Sequence, residues 1–234
     1  MHSIDCKIVP IFNPDETVCK DFERVELSCD DYLGRVYKEE YRQQCSTYHM
    51  EIKQEESAFA FAAYYKNQMI GFSDGYVSDD VMNLDSLFIH PMYHGFGVGG
   101  KLLKKVERSA GLVKSNIELM PLVNAIGFYQ RWGYNYNKDG IHLIKRLPEP
   151  DFGVIPVFEW SDELQAKLNV KIDSDLLKQS TKQPMFVYVG KNKCIDGVAV
   201  RLQNGEQYIK LNNQQKSLEK YRRLELSCAL DDCR

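Results

Sequence analysis

The sequence lacks three features, each of which would point to a particular class of protein. It has no apolar run long enough to cross a membrane as a helix. Its 30 lysines and arginines nearly balance its 33 acidic residues, which leaves a net charge of −3 and no basic surface for nucleic acid. Its seven cysteines include no C-x-x-C pair with the spacing of a zinc site. We therefore expect no membrane, nucleic-acid or metal binding.

The cysteines and the first residues also bear on the cellular compartment. An odd number of irregularly spaced cysteines favours reduced thiols over a disulfide framework. Residues 1–7 contain an acid and no apolar segment, unlike a cleaved secretory signal. Both observations predict a cytoplasmic protein.

The composition is typical of a globular protein, with 44% hydrophobic and 27% charged residues over 234 positions. That length suits one domain with an appendage, or two small domains. The segment Pro148-Glu149-Pro150 marks the predicted boundary, because two prolines interrupt strand pairing and stiffen a connection. We predict domains at 1–147 and 151–234.

Apolar periodicity and turn residues predict mixed strands and helices in the first domain. The predicted strands are 6–12, 57–65, 69–77, 82–89, 116–120 and 141–147, and the predicted helices are 15–29, with Asp15 as N-cap, 31–45, 101–112 and 124–132. The second domain is predicted to be α+β, with strands 154–158, 185–189, 198–203 and 207–211 and helices 162–168 and 213–228. Asn204-Gly205 predicts a type I′ turn between its last two strands.

The segment from His94 to Leu103 carries the strongest chemical signal. Four glycines, at positions 95, 97, 99 and 100, directly precede a well-patterned helix. Glycines let a ligand approach the backbone, and the unpaired N–H groups of a helix start bind phosphate. A flexible loop without a ligand is the plain alternative.

Two nucleotide-binding motifs match this segment in part. Gly95-x-Gly97-x-x-Gly100 fits the dinucleotide fingerprint, with Glu118 near the position of the ribose-binding acid. That fingerprint should directly follow its strand, whereas here Pro91 and further residues intervene. Gly95-x-x-x-x-Gly100-Lys101-Leu102 fits a P-loop except that Leu102 replaces the serine or threonine that binds magnesium.

A third pattern covers more of the chain. The sequence from Leu87 to Leu103 is a hydrophobic strand, a proline, His94-Gly-Phe-Gly-Val-Gly-Gly100 and a leucine-rich helix, and it resembles the acyl-CoA-binding motif of the GNAT N-acetyltransferases. Ala125-x-x-Phe128-Tyr129-x-x-x-Gly133-Tyr134 resembles the second motif of that family. The resemblance covers about residues 6–147. It implies a mixed α/β fold in which helices flank a central mixed sheet, with the small C-terminal α+β domain added.

The resemblance implies where acetyl-CoA binds. The motif strand would bind the pantetheine arm through its backbone, and the glycine turn would bind the diphosphate. The implied cofactor-binding residues are Leu87, Phe88, Ile89, His94, Gly95, Phe96, Gly97, Val98, Gly99, Gly100, Asn124 and Tyr129. Two positions depart from the family pattern, since His94 replaces an arginine or glutamine and Leu122 replaces an asparagine.

The resemblance also implies the chemistry. Tyr129 stands at the position of the general acid that protonates the departing thiolate. Asp85 is the predicted base, because it precedes the motif strand by two residues and would share a face with Leu87 by the alternation of a strand. Asp74 is the second candidate. The tyrosines that would wall the acceptor site and favour a cationic amine are Tyr32, Tyr37, Tyr41 and Tyr48, with helix packing as the alternative.

The sequence thus predicts an acetyl-CoA-dependent N-acetyltransferase. It would acetylate an amine of a small molecule or peptide by direct attack in a ternary complex. The alternative is a non-catalytic acyl-CoA-binding module with a regulatory or scaffold role, which the departures at His94 and Leu122 keep open. The role of residues 151–234 is open between acceptor recognition, formation of a homodimer and binding of a macromolecule.

Overall fold

The computed structural model describes residues 4–29, 58–78, 81–158, 160–172, 184–202, 204–212 and 216–232. The predicted helix 31–45 and the four tyrosines of the predicted acceptor wall lie outside the described residues. The first sheet contains β1 (Lys7–Ile11), β2 (Ala58–Tyr65), β3 (Gln68–Val77), β4 (Met82–Ile89), β5 (Asn116–Leu119), β6 (Asn135–Tyr136) and β7 (Leu143–Arg146). The described helices of this part are α1 (Glu16–Ser28), α2 (Val98–Val113) and α3 (Ile126–Arg131).

The second part has a sheet of its own. Its strands are β8 (Gly153–Pro156), β9 (Met185–Val189), β10 (Ile195–Arg201) and β11 (Gln207–Leu211). The described helices of this part are α4 (Asp162–Ala166) and α5 (Lys216–Asp232). All described pairs in this sheet are antiparallel.

The first sheet is mixed, with the strand order β1-β2-β3-β4-β5-β7-β6. Among the described strands of this sheet, only the β4–β5 pair is parallel; the other pairs are antiparallel. A parallel pair needs a long crossover, and α2 supplies it between β4 and β5. The mixed α/β fold with a second, smaller sheet agrees with the prediction from the sequence.

Local sequence explains several element ends. Asp15 caps α1, and its Oδ1 accepts a hydrogen bond from the Val18 N–H at 2.8 Å. Lys66 and Asn67 both have positive φ, at 49° and 63°, and they form the tight turn between β2 and β3. This two-residue turn joins β2 and β3 into the hairpin that the sequence predicts.

Two features of the fold differ from the prediction. The short strand β6 was not predicted, because two residues carry too little alternation to register as a strand. The β10–β11 hairpin is present, but its turn is not type I′, since Gly205 has a positive φ of 84° and Asn204 does not. The Leu202 N–H donates to the Glu206 carbonyl at 2.8 Å, so the loop is longer than two residues.

One hydrophobic cluster joins the two sheets. It contains residues of β2–β5 and α2 together with residues of β8, β9 and β10. The Phe158 ring stacks on Phe12 at 4.9 Å between centroids and meets the edge of Phe61 at 5.3 Å. The Ser109 hydroxyl on α2 donates to the Pro156 carbonyl at 2.9 Å. The predicted division near Pro148 therefore adjoins a packed interface, and the two-domain assignment stays a prediction.

Candidate active site

The glycine turn lies between the end of β4 and the start of α2. A single 3₁₀ turn over Pro91–Tyr93 follows the strand, and residues 94–97 then lead into the helix at Val98. Gly95 and Gly97 have φ of +81° and +80°, and no heavy atom of the described residues lies within 4 Å of the position that a Cβ would occupy. The left-handed backbone, rather than crowding, therefore requires glycine at both positions.

The first turn of α2 presents its N–H groups without a capping side chain. The Lys101 N–H makes a bond to the Gly97 carbonyl at 3.1 Å, so the amides of Val98, Gly99 and Gly100 precede the helical ladder. Gly97 is the N-cap and offers no side-chain oxygen, and the first turn contains no acid. The positive end of the helix dipole is thus open to an anion.

Gly100 is required for a different reason. A Cβ at this position would overlap Cζ2 of Trp132, which follows α3. At Gly99 the nearest atom, in the Phe128 ring, would be 3.5 Å away, which is an ordinary contact. The glycines of the motif therefore serve two purposes: Gly95 and Gly97 shape the turn, and Gly100 lets Trp132 pack against α2.

His94 is held by the end of β4. Its Nε2 lies 2.7 Å from the Ile89 carbonyl oxygen, and its side chain is exposed. The Cys29 thiol donates to the same carbonyl at 3.3 Å. On the other side of the turn, the Phe96 carbonyl accepts a bond from the Ile4 N–H at 3.4 Å. A side-chain contact therefore holds one flank of the turn, and a backbone hydrogen bond holds the other.

The parallel pair of β4 and β5 opens after two residue pairs. Met82 pairs with Ile117 and Asn83 pairs with Glu118, and the pairing then stops although β4 continues to Ile89. Within the described ranges, the later residues of β4 consequently have no strand partner on the β5 side. This opening leads towards the glycine turn, because β4 runs directly into it.

A β-bulge interrupts β4 at the opening. Asp74 of β3 pairs with Ser86 and Gly75 pairs with Leu84, so Asp85 is the extra residue. Asp85 is exposed, whereas Asp74 is fully buried. The expectation that Asp85 and Leu87 share a face assumed the regular alternation of an unbroken strand. The bulge at Asp85 interrupts that alternation, so spacing alone does not put the two side chains on one face.

Tyr129 lies on α3 and is 8% exposed. Its ring contacts Phe128 and Tyr134 with centroid distances of 5.0 and 5.6 Å. Burial raises the pKa of its phenol above the ordinary value. In the described part of the chain its hydroxyl makes no hydrogen bond. Asn124 is exposed in the 3₁₀ turn that precedes α3.

The structure brings together another group that the sequence analysis did not assign. The side chains of Glu118, Asp139 and His142 have ligand atoms within 4.8 Å of one another. Glu118 appeared above only as a ribose-binding acid in the dinucleotide interpretation. The antiparallel pairing of β5 with β7 brings these three side chains together. The polar turn ahead of β7, which contains Asp139 and His142, was the part of the sequence that could have indicated the cluster.

Comparisons with known proteins place this site in a family. The sequence model of the acetyltransferase (GNAT) family matches residues 23–134, which include β2–β5, the glycine turn and Tyr129. The chain therefore contains an acetyltransferase domain of the GNAT family at residues 23–134. A comparison with curated protein sequences finds no match. Among the described residues, no helix has the length and apolar character to span a bilayer.

Solved structures share the fold at low sequence identity. PH1933 from Pyrococcus horikoshii is 21% identical, with a TM-score of 0.53 over 62% of this chain and 99% of its own. An acetyltransferase assigned to the GNAT family, from Desulfovibrio desulfuricans, is 14% identical, with a TM-score of 0.52 over 62% of this chain and 100% of its own. PaiA N-acetyltransferase from Thermoplasma acidophilum, solved with coenzyme A, is 13% identical, with a TM-score of 0.51 over 61% and 99%.

Proposed function

We propose that this protein transfers the acetyl group of acetyl-CoA to an amine of a small molecule or peptide, by direct attack in a ternary complex. The proposal depends on how two features are arranged along β4. The strand separates from β5 after two residue pairs, and the uncapped start of α2 follows beyond its end. The first feature leaves room for an extended chain, and the second supplies donors for an anion.

Acetyl-CoA fits the residues at both features. The amides of Val98, Gly99 and Gly100 would receive the diphosphate, and no Cβ fills the space at Gly95 and Gly97. The backbone of β4 beyond its pairing with β5, including Leu87 and Phe88, would bind the pantetheine arm. Because Nε2 of His94 donates to the Ile89 carbonyl, the ring would donate to the diphosphate only when Nδ1 also carries a proton. The bound thioester supplies an activated acyl group.

We assign Tyr129 as the donor to the sulfur of the leaving group. The amine nitrogen bonds to the carbonyl carbon, the carbon–sulfur bond breaks, and the Tyr129 hydroxyl donates a hydrogen bond to the thiolate. Because burial raises its pKa, this phenol stays protonated at neutral pH. The pKa of this phenol lies above that of a thiol, about 8.5, so the phenol stabilises the thiolate by donating a hydrogen bond. Tyr129 gives its proton to the sulfur only if it receives another proton in exchange.

The bulge in β4 supports the remaining roles. A bulge turns the backbone away from the regular ladder and re-aims it, so the N–H at Asp85 would polarise the thioester carbonyl as negative charge develops. The exposed Asp85 carboxylate is our candidate base, and it would take the amine proton through water. Asp74, fully buried on the neighbouring strand, is the second candidate.

The test measures binding and turnover separately. Calorimetry with acetyl-CoA reports binding, and a thiol reagent reports the free coenzyme A released with a panel of amines and peptides. Binding with coenzyme release supports the proposal. Binding without release from any amine would favour the non-catalytic acyl-CoA-binding module, and no binding at millimolar ligand would contradict both.

The C-terminal segment 151–234 is proposed to shape the acceptor site or to form a homodimer. Its sheet packs on the same cluster as α2, which carries the proposed diphosphate site. Removal of residues 149–234 followed by measurement of oligomeric state and acceptor range separates the two roles. A change in neither quantity would contradict both.

A further inference from the structure

The ion-pair cluster of Glu118, Asp139 and His142 takes no part in the steps proposed above. Glu118 projects from β5, and the other two residues belong to the turn that leads into β7. The His142 Nδ1 lies 2.6 Å from the Asp139 Oδ2 and 4.0 Å from the Glu118 Oε1. Asp139 therefore holds the imidazole, and Glu118 lies beyond hydrogen-bond distance from it.

Glu118 stands at the closed end of the opening between β4 and β5. Its pair with Asn83 is the last one before the strands separate. The Oε2 atom accepts a hydrogen bond from the Asn137 amide at 2.9 Å. In the described ranges no donor lies within hydrogen-bond distance of Oε1, and the side chain is 20% exposed. One carboxylate oxygen is thus fixed by the protein, and the other makes no hydrogen bond among the described residues.

The charges of the cluster do not cancel at Glu118. The backbone N–H groups of Ile141 and His142 and the imidazole lower the pKa of Asp139 to about 2, so Asp139 is ionised at neutral pH. Asp139 in turn raises the pKa of His142. The cluster contains two carboxylates and one imidazole, so even with His142 protonated it keeps a net negative charge that attracts a ligand cation.

Two exposed side chains, Tyr76 two strands away and Met120 two residues along the chain, lie in the region of this carboxylate. Tyr76 pairs with Asn83, and Asn83 pairs with Glu118, so the three lie in one row on the same face of the sheet. With strands about 4.8 Å apart, Tyr76 and Glu118 are about 10 Å from each other. Tyr76 is 42% exposed, and Met120, which follows β5, is 71% exposed. An exposed tyrosine and methionine beside a carboxylate suit a cation that carries an apolar group.

We propose that Glu118 binds the ammonium group of the acceptor, and that the acceptor is a cationic amine whose apolar substituent lies against Tyr76 and Met120. This inference rests on the proposed acetyl transfer and names its acceptor class. Glu118 acts as a specificity-determining residue. Asp139 is a positioning residue, because its Oδ2 holds the His142 imidazole at 2.6 Å. The amine proton then leaves through water, as above.

The experiment uses the full-length protein and defined amines. The cationic amine with an apolar group is supplied as phenethylamine and as a peptide with an N-terminal phenylalanine, and ethanolamine is the amine without one. Glu118→Gln keeps the shape and removes the charge, and Glu149→Gln makes the same change at an exposed residue outside the cluster. Tyr76→Ser removes the aromatic ring alone.

We expect Glu118→Gln to raise the KM for both apolar amines on the order of 10- to 100-fold, the loss expected when a hydrogen bond between charged groups is removed. The dissociation constant of acetyl-CoA should stay unchanged, and Glu149→Gln should match the wild type. Tyr76→Ser should raise the KM for phenethylamine and leave that for ethanolamine unchanged. Whichever of phenethylamine and the peptide has the lower KM shows whether the acceptor is a small molecule or a peptide.

Three results would overturn the inference. The first is an unchanged KM in Glu118→Gln, and the second is a wild type that uses ethanolamine as well as phenethylamine. If the variant turns over too slowly for a KM to be measured, calorimetry measures the binding of phenethylamine to the coenzyme A complex instead. Equal affinity in Glu118→Gln and the wild type is then the third result. Failure of the proposed function differs from these, since the wild type would then release no coenzyme A from any amine.

Discussion

At the scale of single residues, Tyr129 combines deep burial with a hydroxyl that makes no hydrogen bond in the described part of the chain. Tyr129→Phe removes only the oxygen and keeps the ring contacts with Phe128 and Tyr134. We expect kcat to fall about 10²- to 10⁴-fold, the usual contribution of a positioned acid. The calorimetric affinity for acetyl-CoA should change little. Tyr136→Phe, at an exposed position on β6, is the matched control, and an unchanged kcat in Tyr129→Phe would remove Tyr129 from the mechanism.

The Asp139–His142 pair makes folding stability depend on pH in a definite direction. The raised pKa of His142 gives a contribution that is complete below about pH 6.5 and is lost as pH rises through the folded-state pKa. The lowered pKa of Asp139 gives a contribution that is present above about pH 4 and is lost as pH falls towards about 2. Asp139→Asn should therefore lower the melting temperature more at pH 5 than at pH 8.5. An equal loss at both pH values would contradict the pairing.

At the scale of elements, the contact between α2 and the residue after α3 depends on Gly100. Gly100→Ala places a methyl group in the space of the Trp132 indole, so the helices must shift apart. Overpacking of this kind costs about 1–3 kcal/mol. We expect urea denaturation to show that loss, together with weaker acetyl-CoA binding, because the first turn of α2 moves. Gly99→Ala meets only an ordinary contact and should cost less than Gly100→Ala in the same assay.

Elements were predictable where a local signal was strong. The Asp15 cap, the apolar strands β2–β4 and the long amphipathic helix α2 follow from spacing that a short window of sequence contains. The two-residue strand β6 and the loop form at Asn204 depend on partners elsewhere in the chain, so periodicity did not reveal them. The glycine turn was predictable from its motif. By contrast, the cluster at Glu118 required the register of β5 against β7, which no local pattern contains.

At the scale of the whole molecule, the two sheets share one hydrophobic cluster. Phe158 belongs to the predicted second domain, yet its ring packs against Phe12 and Phe61 of the first. Phe158→Ala should lower the free energy of unfolding by about 3–5 kcal/mol, and both sheets should unfold in a single transition. Urea denaturation followed by circular dichroism and by fluorescence tests this.

Phe152→Ala removes an exposed ring and serves as the control, with an expected change within about 0.5 kcal/mol. Two separated transitions in the wild type would show that the sheets fold independently. The same core predicts that a chain ending at Pro148 exposes Phe12 and Phe61 and is less stable than the full-length protein.

The packing of Trp132 on the first turn of α2 also gives the protein a built-in optical probe. The sequence contains two tryptophans, and the other, Trp160, donates its indole N–H to the Gln165 side chain within the second part. In Trp160→Phe, all indole emission comes from a ring that touches Gly100. A shift or quench of that emission during titration would report occupancy of the helix start in real time, without a label.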